Sequence, residues 1–221
     1  MVDFERASIN AVTGQFPEAT LCGCFFHFTH CIWRHIQEAG LQQRYNNDPD
    51  FALQLKQLAA LAFVPEDHLI ASYKELIDCE FYTDNENILL PVTNYFEDTW
   101  IGRLDRRRRR QPLFPINMWN IYSKVVENLP RTNNAVEGWH NSFASTLNAN
   151  YSCIWRFIKA LKKEYSLNCV KIEQLIAGNI VPQGKVYKDT AQRIQNIVAD
   201  YENRPIMEYL RRISHNFQFQ V

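Results

Sequence analysis

The chain has 221 residues, 46% of them apolar and 13% aromatic, with seven glycines, six cysteines and a formal net charge of zero. That balance fits a helical globular domain with a substantial core, or a core domain carrying an inserted one. No apolar run approaches the roughly 20 residues of a membrane span and no signal-peptide pattern opens the chain, so membrane-spanning and exported classes are not expected.

Val2 to Glu5 reads as the tail of a strand entering a helix that runs through Val12 and stops around Gly14 and Pro17. The uncharged run "ATLCGCFF", Ala19 to Phe26, predicts a buried strand, although periodicity alone does not exclude helix. Phe28, Cys31, Ile32 and Ile36 follow at helical spacing, with Gly40 as C-terminal stop. Asp48 and Pro49 mark the N-cap and first position of the next helix. Helices are predicted from Pro65 and from Asn87, the latter kinked or restarted at Pro91. Arg103 to Pro115 reads as a basic loop between prolines. Helix resumes in "INMWNIYSKVVEN", and Thr132 is the expected cap of a helix carrying Glu137. Ile154, Phe157, Ile158, Leu161, Tyr165 and Ile172 predict one long amphipathic helix ending near Gly178, and two more helices, 187–201 and 205–213, close the chain.

Net neutrality hides an asymmetry. Residues 1–100 carry 15 acids and 5 bases, net −10, and the remainder 9 acids and 19 bases, net +10. A basic half is the footprint of a polyanion-binding face, or else the two halves attract each other. The run Arg106, Arg107, Arg108, Arg109 and Arg110, with Arg103, could neutralise phosphates without reading bases. A basic loop or import signal is the alternative.

Three further groups could carry chemistry. Asp3, at a strand end, is placed to hold a hard cation, or to cap the following helix. Cys22, Cys24, His27, His30 and Cys31 are the densest soft-metal donors, but their spacing matches no standard zinc finger and phenylalanines surround them. Without an export signal, the six cysteines suit buried thiols or ligands better than disulfides. Asn134, Glu137 and Asn141 share one helix face, so Glu137 reads either as a metal ligand or as an ordinary acid near a helix start.

Taken in order, "VDFERASINAVTGQFPEATLCGCFFHF", "DPDFALQLKQLAALAFVP" and "LPRTNNAVEGWHNSF" resemble the C-terminal part of the catalytic domain of Mutator-like element (MULE) transposases. The resemblance implies a mainly α chain. It comprises part of a ribonuclease H-like α/β core over residues 1–40, a helical insertion over 41–130, and a core helix with C-terminal helices over 131–221. It implies that Asp3 and Glu137 match two of three catalytic, metal-holding carboxylates, and that Cys24 and His27 match a motif beside the site. The family's activity is metal-dependent DNA strand cleavage and transfer with Mg2+ or Mn2+. The family's first aspartate lies upstream of every residue here, so the expectation is a truncated or decayed, inactive form binding no ion stably, its first strands deprived of partners. DNA is the expected partner and self-association a second candidate, in the nucleus, with no membrane or small-molecule substrate. The rival readings are a domesticated non-catalytic DNA-binding or scaffold protein, and a helical protein-interaction module.

Overall fold

A computed structural model describes residues 1–106, 108–147, 153–178 and 185–219. These are mainly helical. Among the described residues, strand is confined to one short hairpin and one isolated bridge.

The chain opens with α1 (Arg6–Gln15), which continues about one turn beyond Val12. The strand expected over 19–26 does not form. Val2 and Gly23 instead make a single parallel bridge, in which the Val2 N–H donates to the Cys22 carbonyl and the Cys24 N–H to the Val2 carbonyl, both at 2.8 Å. Helix α2 (Phe25–Glu38) begins immediately afterwards. Phe25, Phe28, Ile32 and Ile36 are all buried, and that spacing commits the segment to helix. The Gly23 N–H, which a continuing strand would pair with a neighbour, donates to the Met118 carbonyl at 2.6 Å. Gly40, at φ +72°, ends α2 as expected: its N–H bonds the Gln37 carbonyl and the Leu41 N–H bonds the Ile36 carbonyl, the double bond set of a Schellman stop.

After α3 (Gln42–Asn47), α4 (Pro49–Ala60) starts where the sequence says it should. The Asp48 carboxylate accepts from the Asp50 and Phe51 N–H groups, and Pro49 supplies a first residue that needs no donor. A tight turn over Leu61–Phe63 leads to α5 (Leu69–Ile77) and α6 (Glu80–Asp84). Helix α7 (Glu86–Phe96) runs through Pro91 without restarting, then widens into a π turn over Glu97–Ile101 that ends at Gly102, φ +75°. The expected basic loop contains β1 (Leu104–Asp105) and β2 (Arg108–Arg109), paired antiparallel. The single helix expected from Ile116 is two short ones, α8 (Ile116–Trp119) and α9 (Tyr122–Val126). Buried Asn120 separates them: its amide donates to the Val64 carbonyl at 2.7 Å and its side-chain oxygen accepts from the Tyr122 N–H. That local bonding competes with helix continuation.

Beyond lie α10 (Asn134–Leu147), α11 (Ile154–Ile176), α12 (Lys185–Ala199) and α13 (Ile206–Ser214). Because α10 starts at Asn134, with the Val136 N–H bonded to the Asn133 carbonyl, the capping position falls at residue 133 and not at Thr132.

Packing divides the chain into two units, residues 1–132 with 190–221, and residues 133–189. The expected segments 1–40 and 41–130 therefore share one core. In this first unit α13 lies along α4, and the buried Tyr209 hydroxyl donates to the Phe63 carbonyl. The centre is aromatic: Phe28 stacks on Trp119 at 4.8 Å and meets Trp100 edge-on at 4.8 Å, and the Trp119 indole donates to the Trp100 carbonyl. Such contacts add about 0.5–1.5 kcal/mol per pair beyond area burial. The second unit is a helical hairpin of α10 and α11, joined by the Trp139 indole donating to Glu164 at 2.9 Å and by Phe143 meeting Phe157 edge-on.

Candidate functional site

The candidate site in the first unit is built where α2 begins. Glu5, in extended backbone, holds the N-cap position of α1, and its carboxylate accepts from the Ser8 hydroxyl at 3.0 Å. Asp3 therefore has no capping role, and its side chain is exposed. The intervening Phe4 adopts φ +66°, a conformation uncommon for a bulky residue, and turns its ring into the core against Phe28, Trp100 and Phe114. A Cβ on Gly23 would lie 2.1 Å from that ring, so glycine at 23 and the turned Phe4 require each other.

Cys24 is the N-cap residue of α2 and fully buried, and His27 is half-buried three residues on. One helical turn further lies Cys31, close enough to Asp3 for the carboxylate to act on its thiol. Burial holds Cys31 above its ordinary range; Arg34 and a hydrogen bond with Tyr95 pull it down, and Asp3 pushes it up. His27, Cys31 and Arg34 recur at fours and threes, which puts them on one face of α2. On the next stripe His35 contacts Glu38 at 2.8 Å, and burial lowers its pKa. The structure thus brings Asp3 to the α2 face that carries the Cys24–His27 pair.

All six cysteines are free thiols. Among the described residues, no group of three or more His, Cys, Asp or Glu is arranged to hold a metal ion. A thiol kept protonated is a poor zinc ligand, since the thiolate is the binding form. The face offers one exposed carboxylate and three buried or half-buried sulfur and nitrogen donors, Cys24, His27 and Cys31, which is not the oxygen-rich set a magnesium ion requires.

Glu137 belongs to the second unit, on α10, and its side chain lies outside the described residues, as does that of Asn134. Pairing of Asp3 with Glu137 is thus not a feature of either unit by itself. What the first unit does hold is the chain leading to Glu137: the Phe25 N–H donates to the Arg131 carbonyl at 3.0 Å, next to Cys24. Trp139, two residues beyond Glu137, binds Glu164 and stacks on Phe143, a packing role that helical spacing alone does not reveal.

The arginine run is only partly available. Arg103 pairs with Asp98 at 2.9 Å, Arg109 with Glu97 at 3.3 Å and Arg110 with Asp105 at 3.0 Å. Arg109 also donates to the Gly102 carbonyl, and the Arg110 N–H bonds the Arg103 carbonyl. These bonds close the hairpin, whose turn includes Arg106 at φ +56°. Arg106 and Arg108 are exposed at the tip, and Arg107 lies outside the described residues. Glu97 and Asp98 come from the acidic half of the sequence, so part of the charge asymmetry is consumed in ion pairs within one unit.

Among the described residues, no helix is long and apolar enough to cross a membrane. No protein-family model, curated protein or solved structure matches the chain.

Proposed function

We propose that the chain derives from the catalytic domain of a MULE-type transposase and acts on DNA as a binding protein. In this reading residues 1–40 descend from a ribonuclease H-like core. Asp3 and Glu137 are two of the ancestral metal-holding carboxylates, and Cys24 and His27 form the motif beside them. The observation that supports it most is the convergence at the start of α2. The Val2–Gly23 parallel bridge, the Cys24–His27 turn and the segment that leads into α10 meet there through Cys24 and Phe25. A parallel bridge joined by a helix is also what remains when a βαβ unit is reduced to its minimum.

The test is anisotropy of a labelled DNA duplex titrated with the purified chain at several salt concentrations. Binding that weakens linearly in log–log form as salt rises supports the reading; absence of any salt-dependent binding sinks it. Mn2+ titration, followed by electron paramagnetic resonance, addresses the carboxylates separately. Any bound ion should be lost in both Asp3→Ala and Glu137→Ala, and retention in both removes these residues from the assignment.

A second reading, a helical protein-interaction module, is favoured by one observation: α11 has 23 residues and not one of them is buried.

A further inference from the structure

Between α5, α6 and α7 the first unit holds a trough of about 290 Å³, close to the lower bound of about 300 Å³ for ligand clefts. Tyr73 stacks on Phe96 at 5.6 Å, which sets the middle of α5 against the end of α7 and puts Glu97 at that end of the trough. At the other end Asp78 closes α5 and Glu86 opens α7, on either side of the short α6. Ile77, Leu89 and Leu90 line the space between. From Glu86 to Glu97 the helical run rises roughly 16 Å, so the acids stand well apart with an apolar stretch between them.

The trough is rich in acceptors and short of donors. The Tyr82 hydroxyl donates to the Gln54 carbonyl, that of Thr83 to the Cys79 and Glu80 carbonyls, and that of Thr93 to the Leu89 and Leu90 carbonyls. With their protons engaged, these oxygens offer only lone pairs. No lysine or arginine lines the trough, and among the described residues Asp78 and Glu86 form no ion pair. Arg109 takes one oxygen of Glu97, Oε1, at 3.3 Å. The most deeply buried polar residue here is Tyr73, 1% exposed. Its hydroxyl forms no hydrogen bond among the described residues, whereas a buried phenol ordinarily finds a partner. The charges that act on it are those of Glu97, Arg109 and Arg103.

We infer that this trough is a binding site for a linear aliphatic polyamine. One ammonium group meets Asp78 and Glu86, another meets Glu97 and the Tyr73 hydroxyl, and the methylene chain lies along Ile77, Leu89 and Leu90. Acids alone would attract any cation. The buried hydroxyl and the apolar stretch between the acids are what call for a ligand with carbon between its charges. An anion would face three carboxylates, and a bare metal ion would leave the apolar stretch uncovered. The inference is independent of DNA binding.

Isothermal titration calorimetry of the full chain with spermidine at physiological salt tests it, with one site per chain expected. Glu86→Gln, a surface change, should weaken binding about threefold. Tyr73→Phe keeps the stack on Phe96, removes only the hydroxyl, and should weaken binding by a similar factor of about three. Glu75→Gln, at an exposed acid of α5 outside the trough, should leave the constant unchanged. Butylamine, a monoamine with the chemistry of a lysine side chain, should bind at least about tenfold more weakly, since it reaches only one end. Magnesium at equal charge concentration should not displace spermidine. The site is overturned if spermidine does not bind, if Tyr73→Phe binds as tightly as wild type, if Glu75→Gln weakens binding as much as Glu86→Gln, or if butylamine or magnesium competes as well as spermidine itself.

Discussion

The ring of Phe4 occupies the space where a side chain on residue 23 would begin, with its nearest carbons 2.1 to 2.9 Å from an ideal Cβ. The contact couples the bridge at Val2–Gly23 to the aromatic core, because the same ring meets Trp100 edge-on at 4.9 Å. Gly23→Ala must displace Phe4, and overpacking of this kind costs about 1–3 kcal/mol. Thermal unfolding should show the loss. Phe4→Leu combined with Gly23→Ala should cost less than the sum of the two single changes; strict additivity would mean the ring and the glycine are not coupled.

The hairpin divides its arginines into two groups with different expected phenotypes. Arg106→Ser with Arg108→Ser should leave the unfolding midpoint in place and reduce the slope of log K for DNA against log salt by about 2, one for each phosphate no longer neutralised. Arg109→Ser should instead lower stability, because it strands the half-buried Glu97 and vacates the Gly102 carbonyl. If the double serine variant binds DNA with an unchanged salt slope, the hairpin tip does not touch the duplex.

Alkaline pH should unfold the first unit. Burial raises the pKa values of Tyr73, Tyr82, Tyr95 and Tyr209 above the ordinary value of 10. Each group is protonated when folded and ionises more readily when unfolded, so the unfolded chain binds fewer protons above pH 10 and stability falls as pH rises. Below pH 10 the contribution is complete. Denaturant midpoints measured from pH 9 to 12 should decline from about pH 10, and Tyr209→Phe should flatten that decline while losing the bond to Phe63. A flat profile over this range contradicts the burial of these phenols.

Helices α10 and α11 should separate when Trp139 loses its indole N–H. Trp139→Phe keeps the stack on Phe143 but removes the bond to Glu164, an interaction with a charged acceptor worth about 1.5–3 kcal/mol. Hydrogen exchange across α10 should quicken in the variant, with exchange in α4 and α13 unaltered. Equal acceleration in α13 would show that the two units do not open independently.

Local chemistry is enough to read most of the helices. Asp48 with Pro49, Gly40 and Gly178 mark their helix ends because caps and left-handed stops depend on a few adjacent residues. The length and apolar stripe of α11 follow from spacing in the same way. Three outcomes depend on distant residues. Ala19 to Phe26 is uncharged and suits a strand, yet a strand needs partners that composition cannot supply; with one bridge available, the aromatic spacing of α2 prevails. Asp3 is the better cap by residue type, yet α1 starts after Glu5, which makes no side-chain capping bond, beyond the turn at Phe4 whose ring packs on the distant Trp100 and Phe114. The arginine run reads in sequence as one free basic surface. Folding brings Glu97, Asp98 and Asp105 to three of its members, because ion pairs form between whichever charges the tertiary structure places within about 4 Å.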